Sequence, residues 1–454
     1  MQERMVILGA GESGTGAALL AKAVNYDVFV SDFGKIKEIF KNELLESGIS
    51  FEEGTHTYSE ILNATLIVKS PGIPESTSIM KEVREKGIKV VSEIEFAAEN
   101  TSAQFIAITG TNGKTTTTLL TFHILKNSGR KVGLAGNVGE SLARRVLNDG
   151  PDGQDYYVTE LSSFQLDDLY VFKAHVAILL NITPDHLDRY ENKFSMYRDS
   201  KFRILQNMNA DDTFIYWKED QVINEKILNT PIIPQQIAVS LESKDVNGTA
   251  NLEADSLVVN GYSYGLASLP LKGKHNYINM MAAISATSFL GVPGGDIEEA
   301  LKSYVNVPHR MELAGNISGI TFVNDSKATN VDSVYYALDA YDTPIAWIAG
   351  GVDKGNDYDQ LKSLVADKVT ALICLGKDNA KLKEAFGGIL NTIFETQDIR
   401  EAAKMGYEYS QANDVVLLSP ACASFDLFLN YEDRGEQFKH AVTELKKEVE
   451  VNTD

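Results

Sequence analysis

"FIAITGTNGKTTTTLLTFHIL", residues Phe105 to Leu125, decides the fold of the chain around it. It opens on the apolar run Phe105 to Ile108, passes through a glycine-punctuated loop, and continues as a helix expected to run from Lys114 to about Gly129. Strand, glycine loop and helix in that order make a phosphate cradle, because the first N–H groups of the helix and its dipole favour an anion. Lys114 is placed to neutralise β/γ-phosphate charge and the Thr115 hydroxyl to ligate Mg²⁺. The glycine spacing departs from G-x-x-x-x-G-K-[ST], since five residues before Gly113 stands Ile108. The plainer alternative, a Gly/Thr-rich turn without a ligand, explains poorly why Gly-Lys-Thr sits at a strand-to-helix junction.

The same grammar recurs in "MVILGAGESGTGAALLAKAV" and "PIAWIAGGVDKGNDYDQL". Strands alternating with helices imply parallel α/β sheets, whose ligands sit beyond the carboxyl ends of the strands, where these loops fall. The polar stretch "AAENTSAQ" and the segment "NVPHRMELAG" suggest boundaries, giving three α/β domains over residues 1–99, 100–306 and 307–454. Asn260-Gly261, between alternating residues, predicts a hairpin in the middle domain.

With 42 basic and 63 acidic residues the net charge is -21, which argues against a nucleic-acid or anionic-membrane partner. The two cysteines, Cys374 and Cys422, cannot build a disulfide framework, and a cytoplasmic setting suits them. The N-terminus runs straight into a strand without a signal-peptide pattern, and apolar runs such as "VAILL" are too short to cross a bilayer. A monomer is the default expectation.

Gly9, Gly11 and Gly14 followed by Asp32 match a dinucleotide fingerprint. A turn that needs glycines only for packing is the alternative. Glu160, ending the strand-like "YYVTE", is either a magnesium ligand or a helix-capping glutamate. Asp185, His186 and Asp188 gather just past "AILLNIT"; the histidine is a candidate for chemistry or a structural residue. Phe194, Tyr197, Lys201 and Ile204 share one helix face by their spacing. A lysine on such a stripe either snorkels or is desolvated, and desolvation makes a neutral amine available. A neutral amine can add carbon dioxide to give a carbamate, a carboxylate-like metal ligand.

"TGTNGKTTTT", "ELSSFQL", "NITPDHLDRY", "KGKHNYINMMAA", "VPHRME", "NDSKATN" and "SPACASFDLF…RG" together resemble the Mur ligase family, in the family's order and across all three domains. The family's ATP loop is the shorter G-T-N-G-K-[ST], so the displaced glycine is a family variant. "DSKATN" and "SPACASFDLF" resemble the branch that adds D-glutamate to UDP-N-acetylmuramoyl-L-alanine. Another amino-acid-adding branch, such as the folate-polyglutamating one, is the alternative.

The resemblance implies a Rossmann-like first domain that binds UDP-substrate, a central P-loop-type ATPase domain and a C-terminal Rossmann-like domain for the amino acid. It implies an ATP loop of Gly110, Thr111, Asn112, Gly113, Lys114, Thr115 and Thr116, with Asn276, Arg310 and Asp325 as further ATP contacts. Two Mg²⁺ ions are implied, held through Thr115, Glu160, His186 and a carbamylated Lys201, with Lys114, His186 and Lys201 in catalytic roles. Ser13, Asp32, Ser70, Gly72, Asn137, Ser162 and Gln165 fall to the UDP-linked substrate; Lys327, Thr329, Lys354, Ser424 and Phe425 fall to D-glutamate. ATP would activate the alanyl carboxylate as an acyl phosphate, with closure of the third domain excluding water. An NAD-dependent dehydrogenase, built on the N-terminal fingerprint, leaves "TGTNGKTT" unexplained. A non-catalytic ATP-binding scaffold predicts binding without amino-acid-dependent turnover.

Overall fold

The computed structural model describes residues 3–242, 249–353 and 355–453. The chain forms two compact units, one of residues up to Pro270 together with Asn276–Tyr304, the other of Leu271–His275 with the chain from Val305 onward. Three parallel-rich sheets of five, nine and six strands carry the α/β fold, the first two in the first unit and the third in the second.

In the five-stranded sheet the order is Ser50–Glu53, Asp27–Asp32, Arg4–Leu8, Leu66–Lys69, Lys89–Ser92, all parallel. The order reverses between Arg4–Leu8 and Leu66–Lys69, so the loops after Leu8 and Lys69 splay apart and leave a crevice, as at any such switch point. Met5 and Ile7 enter one apolar cluster, Val6 and Leu8 another. Alternate residues therefore bury on opposite faces, which is why this strand is apolar throughout rather than alternating.

The nine-stranded sheet places Gln104–Thr109 between Ala174–Leu179 and Tyr156–Glu160, all parallel. Three candidate segments thereby emerge side by side: the Gly110 loop, Glu160 and the chain after Leu179. At the far edge, Ser256–Val259 and Tyr262–Gly265 pair antiparallel across Asn260 (φ 50) and Gly261 (φ 77), the expected hairpin.

In the second unit, Val415–Leu418 lies between Ile320–Asn324 and Ile345–Ala349, all parallel, with Glu312–Ile317 added antiparallel at the edge. Trp347 and Ile348 point to separate apolar clusters on the two faces of this sheet.

Candidate functional site

Gly113 caps the helix Lys114–Asn127 at φ +83, a left-handed conformation that L side chains rarely adopt. A Cβ there would also lie 2.3 Å from Asn279 Oδ1, so the loop and the helix Lys274–Phe289 meet through a position that only glycine fits. Asn279 in turn donates to Asn276 Oδ1 at 3.4 Å, which puts the expected ATP contact Asn276 one side chain from the loop. Asn181, at the end of the neighbouring strand, clamps the loop from the other side: its Oδ1 accepts from Asn112 N at 2.8 Å and its Nδ2 donates to Asn112 O at 3.1 Å. Thr111 Oγ1 donates to Thr183 O at 3.0 Å and lies 3.1 Å from Tyr197 Oη. Thr115 and Thr116 open the helix, both buried, and Thr116 Oγ1 has no hydrogen-bond partner among the described residues.

Two lysines converge on the loop. Lys114 Nζ donates to Gly110 O at 2.9 Å and to Thr111 O at 2.8 Å, and Lys201 Nζ donates to the same Gly110 O at 2.8 Å. Lys201 is 2% exposed, on the helix Phe194–Phe202, its Nζ 4.7 Å from the centre of the Tyr197 ring. Burial, and then the Lys114 charge, push its amine well below the ordinary lysine range, against the pull of Asp185, Asp167 and Glu160. The desolvated alternative of the sequence reading is the one found.

Glu160 is 2% exposed. Its Oε1 accepts from Asn137 Nδ2 at 2.9 Å, while Oε2 is buried with no partner among the described residues. A buried, unpartnered carboxylate oxygen is costly, and a cation at that position removes the cost. Asn137 thus orients the carboxylate. No three His, Cys, Asp or Glu side chains gather into a metal cage among the described residues. A magnesium ion that keeps waters and phosphate oxygens needs few protein groups, so Thr115 and Glu160 fit such an ion without a cage.

His186 stands half-exposed at φ 51 before the short turn Leu187–Tyr190, its ring edge-on to Phe164 at 5.3 Å and its Nε2 3.6 Å from Asp185. Arg189 covers Phe164 at 4.4 Å and donates to Pro71 O and Gly72 O at 3.1 and 3.3 Å, joining this loop to the crevice of the first sheet. Ser162 and Gln165 are engaged with each other as a capping box on the helix Ser163–Asp167.

At that crevice a cavity of about 840 Å³ is lined by Gly9, Asp32, Ser70 and Gly72 among others. Gly14 holds its helix against the sheet, since a Cβ there would lie 1.8 Å from Gly9 O. Ser13, just before it, lies in the first turn of the same helix, Glu12–Ala23. Asp32 accepts from Ala10 N and Gly34 N, both at 2.7 Å, so its carboxylate fastens two loops. Glu12 pairs with Arg144 at 2.9 Å.

In the second unit the three central strands release Asp325 to Thr329, the Gly350 loop and Ser419 to Phe425 at one end of the sheet. Asp325 is buried, accepting from Met311 N at 3.2 Å and Ser419 Oγ at 3.0 Å; burial, opposed by Arg310, pushes its carboxyl up to about 7. Arg310 Nε is buried without a hydrogen-bond partner among the described residues. Lys327 Nζ lies 5.2 Å from the Tyr431 ring, Thr329 is half-buried, Ser424 is buried and Phe425 is 71% exposed. Lys354 lies outside the described residues.

Sequence reasoning gave no role to Arg434. It is 1% exposed and donates to all three loops: to Ser326 Oγ and O at 2.9 Å, to Gly350 O at 3.4 Å and to Cys422 O at 3.2 Å. Its only local signal is the "RG" within a long helix. Asn181 and Asn279 were missed likewise, although an asparagine closing an apolar strand or interrupting an apolar helix face is a readable sign.

Three family models match the chain: the MurD N-terminal domain over residues 4–79, the Mur ligase middle domain over 108–287 and the Mur ligase, glutamate ligase domain over 309–422. A UDP-N-acetylmuramoylalanine–D-glutamate ligase of Cytophaga hutchinsonii is 53% identical, with 98% of this chain and 100% of that protein covered. One of Porphyromonas gingivalis is 48% identical over 97% of this chain and 98% of its own length. Among solved structures, the UDP-N-acetylmuramate-alanine ligase MurC of Thermotoga maritima superposes with a TM-score of 0.62 at 18% identity, covering 98% of this chain and all of that one, a likeness of fold.

Proposed function

The chain belongs to the Mur ligase family, and from that premise we propose that it joins D-glutamate to UDP-N-acetylmuramoyl-L-alanine at the expense of ATP, in cytoplasmic peptidoglycan precursor synthesis. Near-full-length similarity to ligases of that name supports the substrate pair. The observation that carries the chemistry is the convergence of Lys114, Lys201 and the unpartnered Glu160 oxygen around one phosphate loop.

A carboxylate resists amines because its charge repels them and oxide does not leave. An oxygen of the alanyl carboxylate therefore attacks the γ-phosphorus of ATP, and the bond to the β–γ bridging oxygen breaks, releasing ADP. The D-glutamate nitrogen then attacks the carbonyl carbon of the acyl phosphate, and the tetrahedral intermediate expels inorganic phosphate to leave the amide. Bringing these anions together requires positive charge. Lys114, whose ammonium rests on loop carbonyls here, turns to the phosphates. Thr115 and Glu160 would hold magnesium, which when bound would neutralise phosphoryl oxygens. Lys201, as a carbamate, and His186 would hold a second such ion. The attacking ammonium must lose a proton, and His186, half-exposed beside Asp185, is the candidate base.

The first domain seats the UDP end through Ser13, Asp32, Ser70 and Gly72, with Asn137, Ser162 and Gln165 toward the muramoyl part. Asn276, Arg310 and Asp325 complete the nucleotide contacts. Lys327, Thr329, Lys354, Ser424 and Phe425 take D-glutamate, the lysines and hydroxyls answering its two carboxylates. The protein acts as a monomer. Incubation of ATP, Mg²⁺ and both substrates, followed by mass spectrometry, is expected to give the substrate mass increased by one glutamyl residue. Unchanged substrate with ATP bound would remove the ligase reading. A dehydrogenase has no support in the family.

A further inference from the structure

The cavity in the first sheet's crevice carries two aromatic side chains to which no role has been given. Phe33 is 73% exposed at its lining, and His56 lies beside it with ring centroids 5.7 Å apart. Single exposed aromatics are common and by themselves mean little. Phe33, however, stands on a loop fastened on both sides. Asp32 accepts from Gly34 N at 2.7 Å, and Gly54 N donates to both Asp32 O and Gly34 O at 3.0 Å.

The hydrogen bonds also fix the state of His56. Glu52 accepts from Thr57 N at 2.8 Å, from Thr57 Oγ1 at 2.5 Å and from Ser31 Oγ at 2.6 Å. Although burial raises the Glu52 carboxyl, these donors outweigh it and hold it below the usual range, so it is ionised and accepts only. The single hydroxyl proton of Ser31 is thus spent on Glu52. The 2.7 Å contact between Ser31 Oγ and His56 Nδ1 must then be donated by the ring, as Nδ1–H. Burial lowers the His56 pKa, so the imidazole is neutral and its Nε2 carries a lone pair. Nε2 makes no hydrogen bond among the described residues.

We propose that Phe33 and His56 form the nucleobase subsite of this cavity, Phe33 covering a face of the base and His56 Nε2 accepting the imide N–H of uracil. The proposal rests on the reading of this crevice as the seat of the UDP-linked substrate. It assigns base selection to an acceptor whose tautomer is set by the Glu52–Ser31 pair. A base methylated at N3 loses the donor, and one with an unprotonated N3 sets two lone pairs against each other.

The test is calorimetric binding of UDP and of its N3-methyl derivative to the full chain and to Phe33→Ala and His56→Phe, with thermal melts to verify folding. The wild type is expected to prefer UDP by roughly three- to tenfold, the worth of one hydrogen bond. Phe33→Ala should weaken both ligands by roughly tenfold or more, the worth of stacking on one aromatic. His56→Phe keeps a ring but no acceptor, and should bind the two ligands equally. Wild-type affinity and preference in both folded variants would overturn the subsite while leaving the ligase reading intact. A wild type that binds neither UDP nor the full substrate would overturn the crevice assignment itself, and the subsite with it.

Discussion

Replacing Lys201 by methionine should make the protein more stable and nearly inactive at once. The amine is 2% exposed, and no carboxylate lies within ion-pair distance of it among the described residues. In the folded state its pKa lies well below the ordinary value, chiefly through burial. At pH 7 the folding penalty of such a group is capped at about 4.6 kcal/mol, the cost of deprotonating an amine of pKa ~10.4 there. Methionine keeps the buried stem and removes the penalty. It also removes one hydrogen bond, worth about 1 kcal/mol. The acceptor Gly110 O is not orphaned, because Lys114 Nζ still donates to it at 2.9 Å.

The balance is a gain of about 1–3 kcal/mol, in line with replacing buried charge by apolar volume, or a few degrees in melting temperature. The sign with pH follows from the lowered folded pKa. Between that value and ~10.4 the unfolded chain holds the proton and the folded one does not, so wild-type stability rises with pH by about 1.4 kcal/mol per unit. The advantage of the variant should therefore shrink from pH 7 to pH 10. Thermal melts in carbon-dioxide-free buffer across that range, beside ATP-dependent phosphate release, measure both halves. Release should fall on the order of 10- to 100-fold. A variant that is less stable by a pH-independent amount, or that stays active, refutes the reasoning.

Three further outcomes follow from other sites. Glu160→Gln keeps an acceptor for Asn137 but loses the charge on the unpartnered oxygen; the Mg²⁺ concentration for half-maximal phosphate release should rise on the order of tenfold, and an unmoved titration curve would deny it a metal. Gly14→Ala sets a Cβ 1.8 Å from Gly9 O; the helix must leave the sheet at a cost of about 3 kcal/mol or more, seen as lost soluble yield, and a wild-type melt would contradict that packing. Asp325 has a folded pKa of about 7, above its unfolded value, so the folded state holds a proton the unfolded one has released. Its contribution to stability is present below pH ~4 and is lost as pH rises through about 7. Asp325→Asn should match the wild type near pH 4 and exceed it at pH 8 by on the order of 4 kcal/mol, and parallel profiles would count against it.

What could be read from the sequence were the features written locally. The strand, glycine and helix of Phe105 to Leu125 need only near neighbours, as does the Asn260-Gly261 turn, and the Tyr197–Lys201–Ile204 stripe announces its own burial. Strand order cannot be read this way, and order is what sets Glu160 beside the Gly110 loop. Arg434 shows the same limit, because two of the three loops it ties lie more than eighty residues away in sequence. Glu12, which opens the helix after the glycine loop, pairs with Arg144 on another helix, a partner that no local spacing announces. Asp32 is read as a ligand contact from its spacing; that backbone amides of two loops also donate to its oxygens appears only when the loops meet.

The central claim is amide formation between one particular acceptor and one particular amino acid. The measurement that tests it most directly is phosphate release from ATP and Mg²⁺ with UDP-N-acetylmuramoyl-L-alanine and D-glutamate, each alone and both together, beside a parallel series with L-glutamate. The account predicts release only when both substrates are present and only with the D-isomer. Release with neither substrate, or equal release with L-glutamate, would contradict it.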